Sequence, residues 1–281
     1  MKLASKTLIG LLAGVLSLAL VSSADAQTSK QRTGKVVRIK GAARYSTGNN
    51  VWQPLKVGSV LKSGYIVQTA QDSYTDIVLN EEASVPAAPA GIPSKVPSAS
   101  SSSSSPSPSS AAARSVDQDV VRVLPDTVLS FDRLTAVDTG GDRVTETELD
   151  LRTGAIFGAV KKQAAASRFE IKIPNGVAGI RGTYFYASSK GLFSCLSGSL
   201  VAAYTNADGT PGTQVVAGGN QFNTATRELA PIGASLLSQL NILVDDVATI
   251  TQRQAASRGG RVPTDEDYID QTVYPVSRST P

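Results

Sequence analysis

The chain has no histidine in its 281 residues. That absence removes Ser–His–Asp and Cys–His nucleophilic machinery, and with it the histidine-based zinc and iron sites. Methionine occurs only at position 1, so thioether ligation is excluded as well. A single cysteine, Cys195, cannot close an intrachain disulfide. Its neighbours Leu192, Phe193 and Leu196 are apolar, so a buried, inert thiol is expected, with a reactive or intermolecular thiol as the alternative. Charged residues make up only 18% of the chain, and the formal net charge is +4. The basic side chains are scattered: Arg114, Arg122, Arg133, Arg143, Arg152 and Arg168 each read as a solvated strand or loop position. A nucleic-acid footprint needs clustering, so no nucleic-acid partner is expected. None of the glycine-rich stretches carries the Gly-Lys-Ser/Thr ending of a phosphate loop, and no cofactor is expected.

Carboxylates do occur in groups: Asp117 with Asp119, Asp138 with Asp142, Asp245 with Asp246, and Asp265 to Asp267. Paired acids are the machinery of glycoside hydrolysis. None of these groups sits in a recognisable frame, so they read as polar surface and the protein as a non-enzyme. The stretch Asp138 to Asp142 lacks the alternating oxygen ligands and closing glutamate of a calcium loop. Asp138-Thr139-Gly140 has the form of an aspartic-protease triplet without a second copy, and reads as a turn. No metal site is expected.

One long apolar run is present, Leu8 to Val21, after a basic start at Lys2 and Lys6. Ala24-Asp25-Ala26 has the small-x-small form of a signal-peptidase site, so residues 1–26 read as a signal peptide. The run is short for a membrane span, and no span is expected in the mature chain. No cysteine stands directly after it, so a bacterial lipid anchor is not expected either. Export to the periplasm or beyond follows. Removing Lys2, Lys6 and Asp25 takes the formal charge from +4 to +3.

From Gly34 to Asn80 the chain reads as short strands separated by turns. Residues 83–116 break the pattern with alanine, proline and an almost unbroken serine run. Such a segment cannot offset the entropy of ordering, and reads as a disordered excursion between two strands. Strands resume through DVVRVLPDTVLSFDRL and TELDLRTGAIFGAVKK, and continue to Phe222. Residues 233–258 read as a helix. Leu236, Leu237, Leu240, Leu243, Val247 and Ile250 fall near one face, and Gly233 or Ser235 stands at its start. A helix docked on the domain is expected, with a partner-binding helix as the alternative. Residues 259–281 read as a mobile polar tail.

The most specific stretch is FEIKIPNGVAGIRGTYFYA, Phe169 to Ala187. Phe169, Ile171 and Ile173 alternate with Glu170 and Lys172, as in a half-buried strand. Pro174-Asn175-Gly176 is turn chemistry, in which Asn and Gly tolerate positive φ. Gly179 and Gly182 flank Ile180-Arg181, where a Cβ is expected to meet backbone. Thr183 to Tyr186 resumes a strand. The order Pro174, Gly176, Arg181, Gly182, Thr183, Phe185 resembles the signature of the FecR-type domain, an extracytoplasmic all-β module. Further elements of that resemblance are Gly58, Leu61, Gly64, Ile66 and Thr69; Ser73, Ile77 and Leu79; Val121, Val123, Pro125, Thr127, Leu129 and Phe131; and Leu149, Leu151, Gly154 and Ile156. Where the family often has Asp after the second glycine, this chain has Tyr65.

The resemblance implies an all-β domain over residues 34–222, solenoid-like or sandwich, with many short strands. In iron-uptake regulators of this type the domain passes a signal across the membrane to a sigma factor. That role needs a span and a cytoplasmic segment, which are not read here. The expected function is therefore non-catalytic binding or scaffolding in the cell envelope, through an envelope protein. Polysaccharide or cell-wall binding is the alternative, and a carboxylate-based glycan enzyme the more remote one. Trp52 reads as a core residue, with sugar stacking as its other use. Arg181 is either a solvated residue or a cap for corner carbonyls.

Overall fold

The computed structural model describes residues 29–82, 118–139 and 143–258. The expected signal peptide 1–26, the serine-rich segment 83–116 and the tail 259–281 lie outside the described residues. Along the described chain run β1 (Lys30–Lys40), β2 (Ala43–Ser46), β3 (Trp52–Pro54), β4 (Val60–Leu61), β5 (Ile66–Thr69) and β6 (Tyr74–Glu82). Then come β7 (Asp119–Val123), β8 (Val128–Asp138), β9 (Arg143–Thr153), β10 (Ala155–Val160), β11 (Arg168–Ile173) and β12 (Gly176–Ile180). The last are β13 (Thr183–Ser188), β14 (Leu192–Cys195), β15 (Ser199–Thr205), β16 (Pro211–Ala217), β17 (Asn220–Asn223) and β18 (Glu228–Pro231), followed by helix α1 (Ala234–Arg258). The protein is all-β with a C-terminal helix, and its strands extend from Lys30 to Pro231.

The strands form two facing sheets. The front sheet runs β3-β2-β5-β8-β9-β11-β12-β15-β16. The back sheet runs β4-β1-β6-β7-β10-β13-β14-β17-β18. Neighbours are antiparallel except β9 and β11, which are parallel. Lys30 and Gln31 at the start of β1 pair with β8, which ties the two sheets together. From β5 onward the chain adds strands to each sheet in turn, and both sheets lengthen in the same direction. The architecture therefore grows like a solenoid and packs like a sandwich.

Alternation explains the front sheet. On β9 Thr145, Thr147, Leu149 and Leu151 are buried, while Glu146, Glu148 and Asp150 face outward. On β11 Phe169, Ile171 and Ile173 point inward. They meet Ile77, Leu79, Val121, Val123, Ile156 and Phe185 of the back sheet in one apolar core. The back sheet does not alternate. Every residue of β7 is buried, as are Ile156 to Val160 of β10. Its outer face is covered by α1, whose Leu240, Val244, Val247 and Ile250 pack on Val37, Val78, Val120, Phe157, Ala159 and Tyr184. A strand covered on both faces has no wet side to mark in its sequence.

The helix stripe differs from expectation in two residues. Val244 belongs to it, one turn after Leu240, and Leu237, in the exposed first turn of the helix, is itself exposed. Gly233, not Ser235, stands at the helix start: its carbonyl accepts from the Leu237 amide at 2.9 Å. Among the described residues no helix is long and apolar enough to cross a membrane.

Candidate functional site

The signature residues sit at the two ends of β12. At one end Pro174 and Asn175 form a two-residue turn between Ile173 and Gly176, and Pro174 is exposed. Neither Asn175 nor Gly176 has a positive φ, contrary to the turn chemistry expected there. Gly176 is glycine for space: a Cβ would stand 2.9 Å from the Ala203 carbonyl oxygen. At the other end the chain leaves the front sheet at Arg181-Gly182 and enters the back sheet at Thr183. Gly182 has φ of 106°, and a Cβ there would lie 2.6 Å from Lys162 Cα, so both conformation and room require glycine. Gly179 is not crowded. The nearest atom to a Cβ there is 4.0 Å away, because its side faces solvent.

Thr183 locks the crossing. Its buried hydroxyl donates to the Ser197 carbonyl and lies 3.3 Å from Cys195 Sγ. Burial pushes the Cys195 thiol up from its ordinary pKa, against smaller opposing effects of Thr183 and Ser197. Phe185 is fully buried and meets Phe169 edge-on, with centroids 6.2 Å apart. Arg181 is exposed and reaches the Ala165 carbonyl at 3.4 Å. The six signature residues are thus divided. Gly182, Thr183 and Phe185 build the crossing, Pro174 and Gly176 the far turn, and Arg181 caps one carbonyl from the surface.

A second constellation joins the back sheet to the helix. Arg38, Asp76 and Arg122 are direct cross-strand partners on β1, β6 and β7, forming one row of alternating charge. Arg122 grips Asp76 with Nε at 2.6 Å and Nη2 at 2.9 Å, and Arg38 Nε reaches it at 2.7 Å. Asp246 of α1 completes the set, 2.6 Å from Arg122 Nη1 and 2.9 Å from Arg38 Nη1. Two positive and two negative groups balance. The Tyr74 ring lies 4.5 Å from the Arg122 guanidinium carbon and 5.4 Å from that of Arg38. Burial pushes the Tyr74 phenol up to about 12 despite both cations. Burial also acts to raise Asp246, but the Arg38 hydrogen bond and the Arg122 charge outweigh it and hold the carboxyl below its ordinary value.

Several sequence expectations are corrected here. Arg122 is 1% exposed, not solvated, because α1 covers the face it occupies. Asp119 is not polar surface. It is buried against Arg32 at 3.5 Å and accepts the Lys161 amide at 3.0 Å. Trp52 is not in the core. It is half-buried on an edge strand, and the Arg44 guanidinium lies 4.6 Å over its ring, held by a 2.8 Å bond from Arg44 Nε to Gln68. Tyr65, where the family often has Asp, stacks on Tyr45 with centroids 5.9 Å apart. Asp138 pairs with Lys30 at 2.8 Å, and that hydrogen bond holds its carboxyl below the ordinary value. Among the described residues no group of three or more Cys, Asp and Glu side chains is arranged to hold a metal.

Residues 104–200 match the family model described as FecR protein, about a third of the chain. The chain carries a FecR-type domain. The matched span takes in the strands from β7 to β14 and both ends of β12, and so includes every signature residue. No curated protein matches the chain. Two crystal structures of a proposed anti-sigma factor from Parabacteroides distasonis are similar at 14% and 15% identity, with TM-scores of 0.30 and 0.29. The similarity covers 42% of this chain and 52% of theirs, about half their length.

Proposed function

We propose that this FecR-type protein is a non-catalytic binding or scaffolding module of the cell envelope, acting through contact with an envelope protein. The observation that carries the reading is the FecR-type domain over residues 104–200. The basic start, apolar run and Ala24-Asp25-Ala26 support an exported, periplasmic or secreted location. The buried carboxylates support a structural use: Asp76 and Asp119 are both engaged by buried arginines.

Protein contact is favoured over carbohydrate binding by the state of Trp52. A sugar-stacking platform needs an open ring face, and here Arg44 already occupies one face of the indole. Affinity capture from native envelope extract on immobilised mature protein tests the reading, with a glycan array run beside it and Trp52→Ala as control. Saturable retention of an envelope protein, with no glycan signal, is expected. Glycan binding that Trp52→Ala abolishes would replace this reading with the carbohydrate one, and hydrolysis of cell-wall material would overturn the non-catalytic assignment.

A further inference from the structure

The last strand of the front sheet is an open edge, and its chemistry fits a second copy of itself. Among the described residues β16 pairs only with β15. Its seven residues, PGTQVVA, carry no charge. Edge strands are ordinarily protected by charge, bulges or cover. The outward face beside this edge is uncharged too: Val177 and Gly179 on β12, Ser199, Val201 and Ala203 on β15, and Thr213, Val215 and Ala217 on β16. Val201 is 43% and Val215 58% exposed. The contrast with the same sheet's middle is sharp. There Arg133, Glu146, Glu148, Arg168, Glu170 and Lys172 lace the surface with ion pairs.

The hydrogen-bond parity of the edge is settled by its two ends. Gly218 donates to the Gly198 carbonyl at 2.9 Å, and Asn206 donates to the Thr210 carbonyl at 2.8 Å. In an antiparallel pair bonded residues alternate. Gly212, Gln214 and Val216 therefore bond to β15, and the backbone groups of Thr213, Val215 and Ala217 point outward. Among the described residues the Val215 and Ala217 carbonyls are met by side-chain amides, from Gln214 at 2.8 Å and Asn220 at 3.3 Å.

We infer that two copies of the chain associate through β16, antiparallel about a two-fold axis at Val215. That register sets Thr213 against the partner's Ala217 and Val215 against the partner's Val215. All three outward residues then exchange bonds, about six in total. Pro211, which has no amide to offer, falls beyond the ladder opposite the partner's Gly219. No like charges meet, and the valines at 201 and 215 of both copies form one apolar strip across the joint. A foreign strand would need to match this uncharged edge, whereas the edge already matches itself. As in any two-chain equilibrium, the dimer gives way to monomer on dilution.

Sedimentation of the full mature protein over a concentration series tests this. The weight-average mass rises from one chain toward two. Thr213→Pro removes an outward amide that β15 does not use, and Val215→Lys places two like charges on the axis. Both variants remain monomeric, with melting temperatures close to that of the parent. Hydrogen exchange is the second readout: the Thr213, Val215 and Ala217 amides are protected only when concentrated, and those of Gly212, Gln214 and Val216 at every concentration. A parent chain monomeric throughout, dimers undiminished in both variants, or outward amides protected even when dilute would each overturn the inference. This result is independent of envelope capture, since a strictly monomeric protein that still retains an envelope partner would defeat only the dimer.

Discussion

Gly182 and Arg181 are neighbours in the signature, and they carry opposite expectations. Gly182 combines φ of 106° with a Cβ position 2.6 Å from Lys162 Cα. Lys162 backbone cannot step aside without moving the segment that follows β10. Gly182→Val is expected to cost about 2–4 kcal/mol, by left-handed strain together with overpacking. Arg181 is exposed and makes one long bond, so Arg181→Ala is expected to cost less than about 1 kcal/mol. Denaturant melts of both variants check the pair. A neutral Gly182→Val, with Arg181→Ala abolishing partner capture, would make the corner a recognition surface instead of a structural one. Cys195 belongs at the same scale. It is fully buried and its thiol is raised by burial, so a thiol reagent should leave it unlabelled until denaturant is added. Labelling in buffer at the rate of a free thiol would contradict that.

The helix is held by apolar packing and by one charged clasp, and the clasp is where its docking can be tuned. Arg122 and Asp76 are both almost fully buried, so Arg122→Ala leaves a carboxylate with only Arg38 for company. Breaking a buried pair from one side typically costs about 3–5 kcal/mol, and that range is expected here in thermal or denaturant melts. Asp246 is partly exposed and lies on the helix, so Asp246→Asn is expected to cost less, about 1–2 kcal/mol. It also removes a pH dependence. The folded carboxyl is held below its unfolded value of about 4. Its contribution is therefore present above that pH and is lost as the pH falls through the lower, folded value. The stability gap between parent and Asp246→Asn should narrow on acidification from pH 7 to below pH 4. A gap unchanged across that range would mean that the Asp246 charge contributes nothing to docking.

The whole molecule shows what a sequence can and cannot carry. The front sheet was legible because one of its faces is wet: Leu149 and Leu151, or Phe169, Ile171 and Ile173, alternate with charge. The strands of the back sheet were legible too, but not the burial of their second face, because α1 covers it, and Arg122 looks like any exposed arginine until that cover is known. The clasp was beyond reach for a related reason: residues 38, 76, 122 and 246 meet only through strand register and helix docking. Gly182 was readable from its place between a turn and an aromatic strand, whereas Gly176 and Gly179 needed neighbours that the sequence does not name. The same register makes a prediction about residues 83–117. β6 and β7 pair directly from Thr75 with Val123 to Leu79 with Asp119, and Asp119 is anchored by Arg32 and the Lys161 amide. The two strands thus meet as a complete hairpin, whatever length of chain joins them. Loop-closure entropy grows only with the logarithm of length, so replacing residues 83–117 with a short Gly-Ser turn should gain about 1–2 kcal/mol if those residues contribute no packing. The shortened protein should keep a cooperative melt at an equal or slightly higher temperature, with unchanged helix docking by limited proteolysis. Loss of the cooperative transition would mean that the segment packs against the sheets and belongs to the fold.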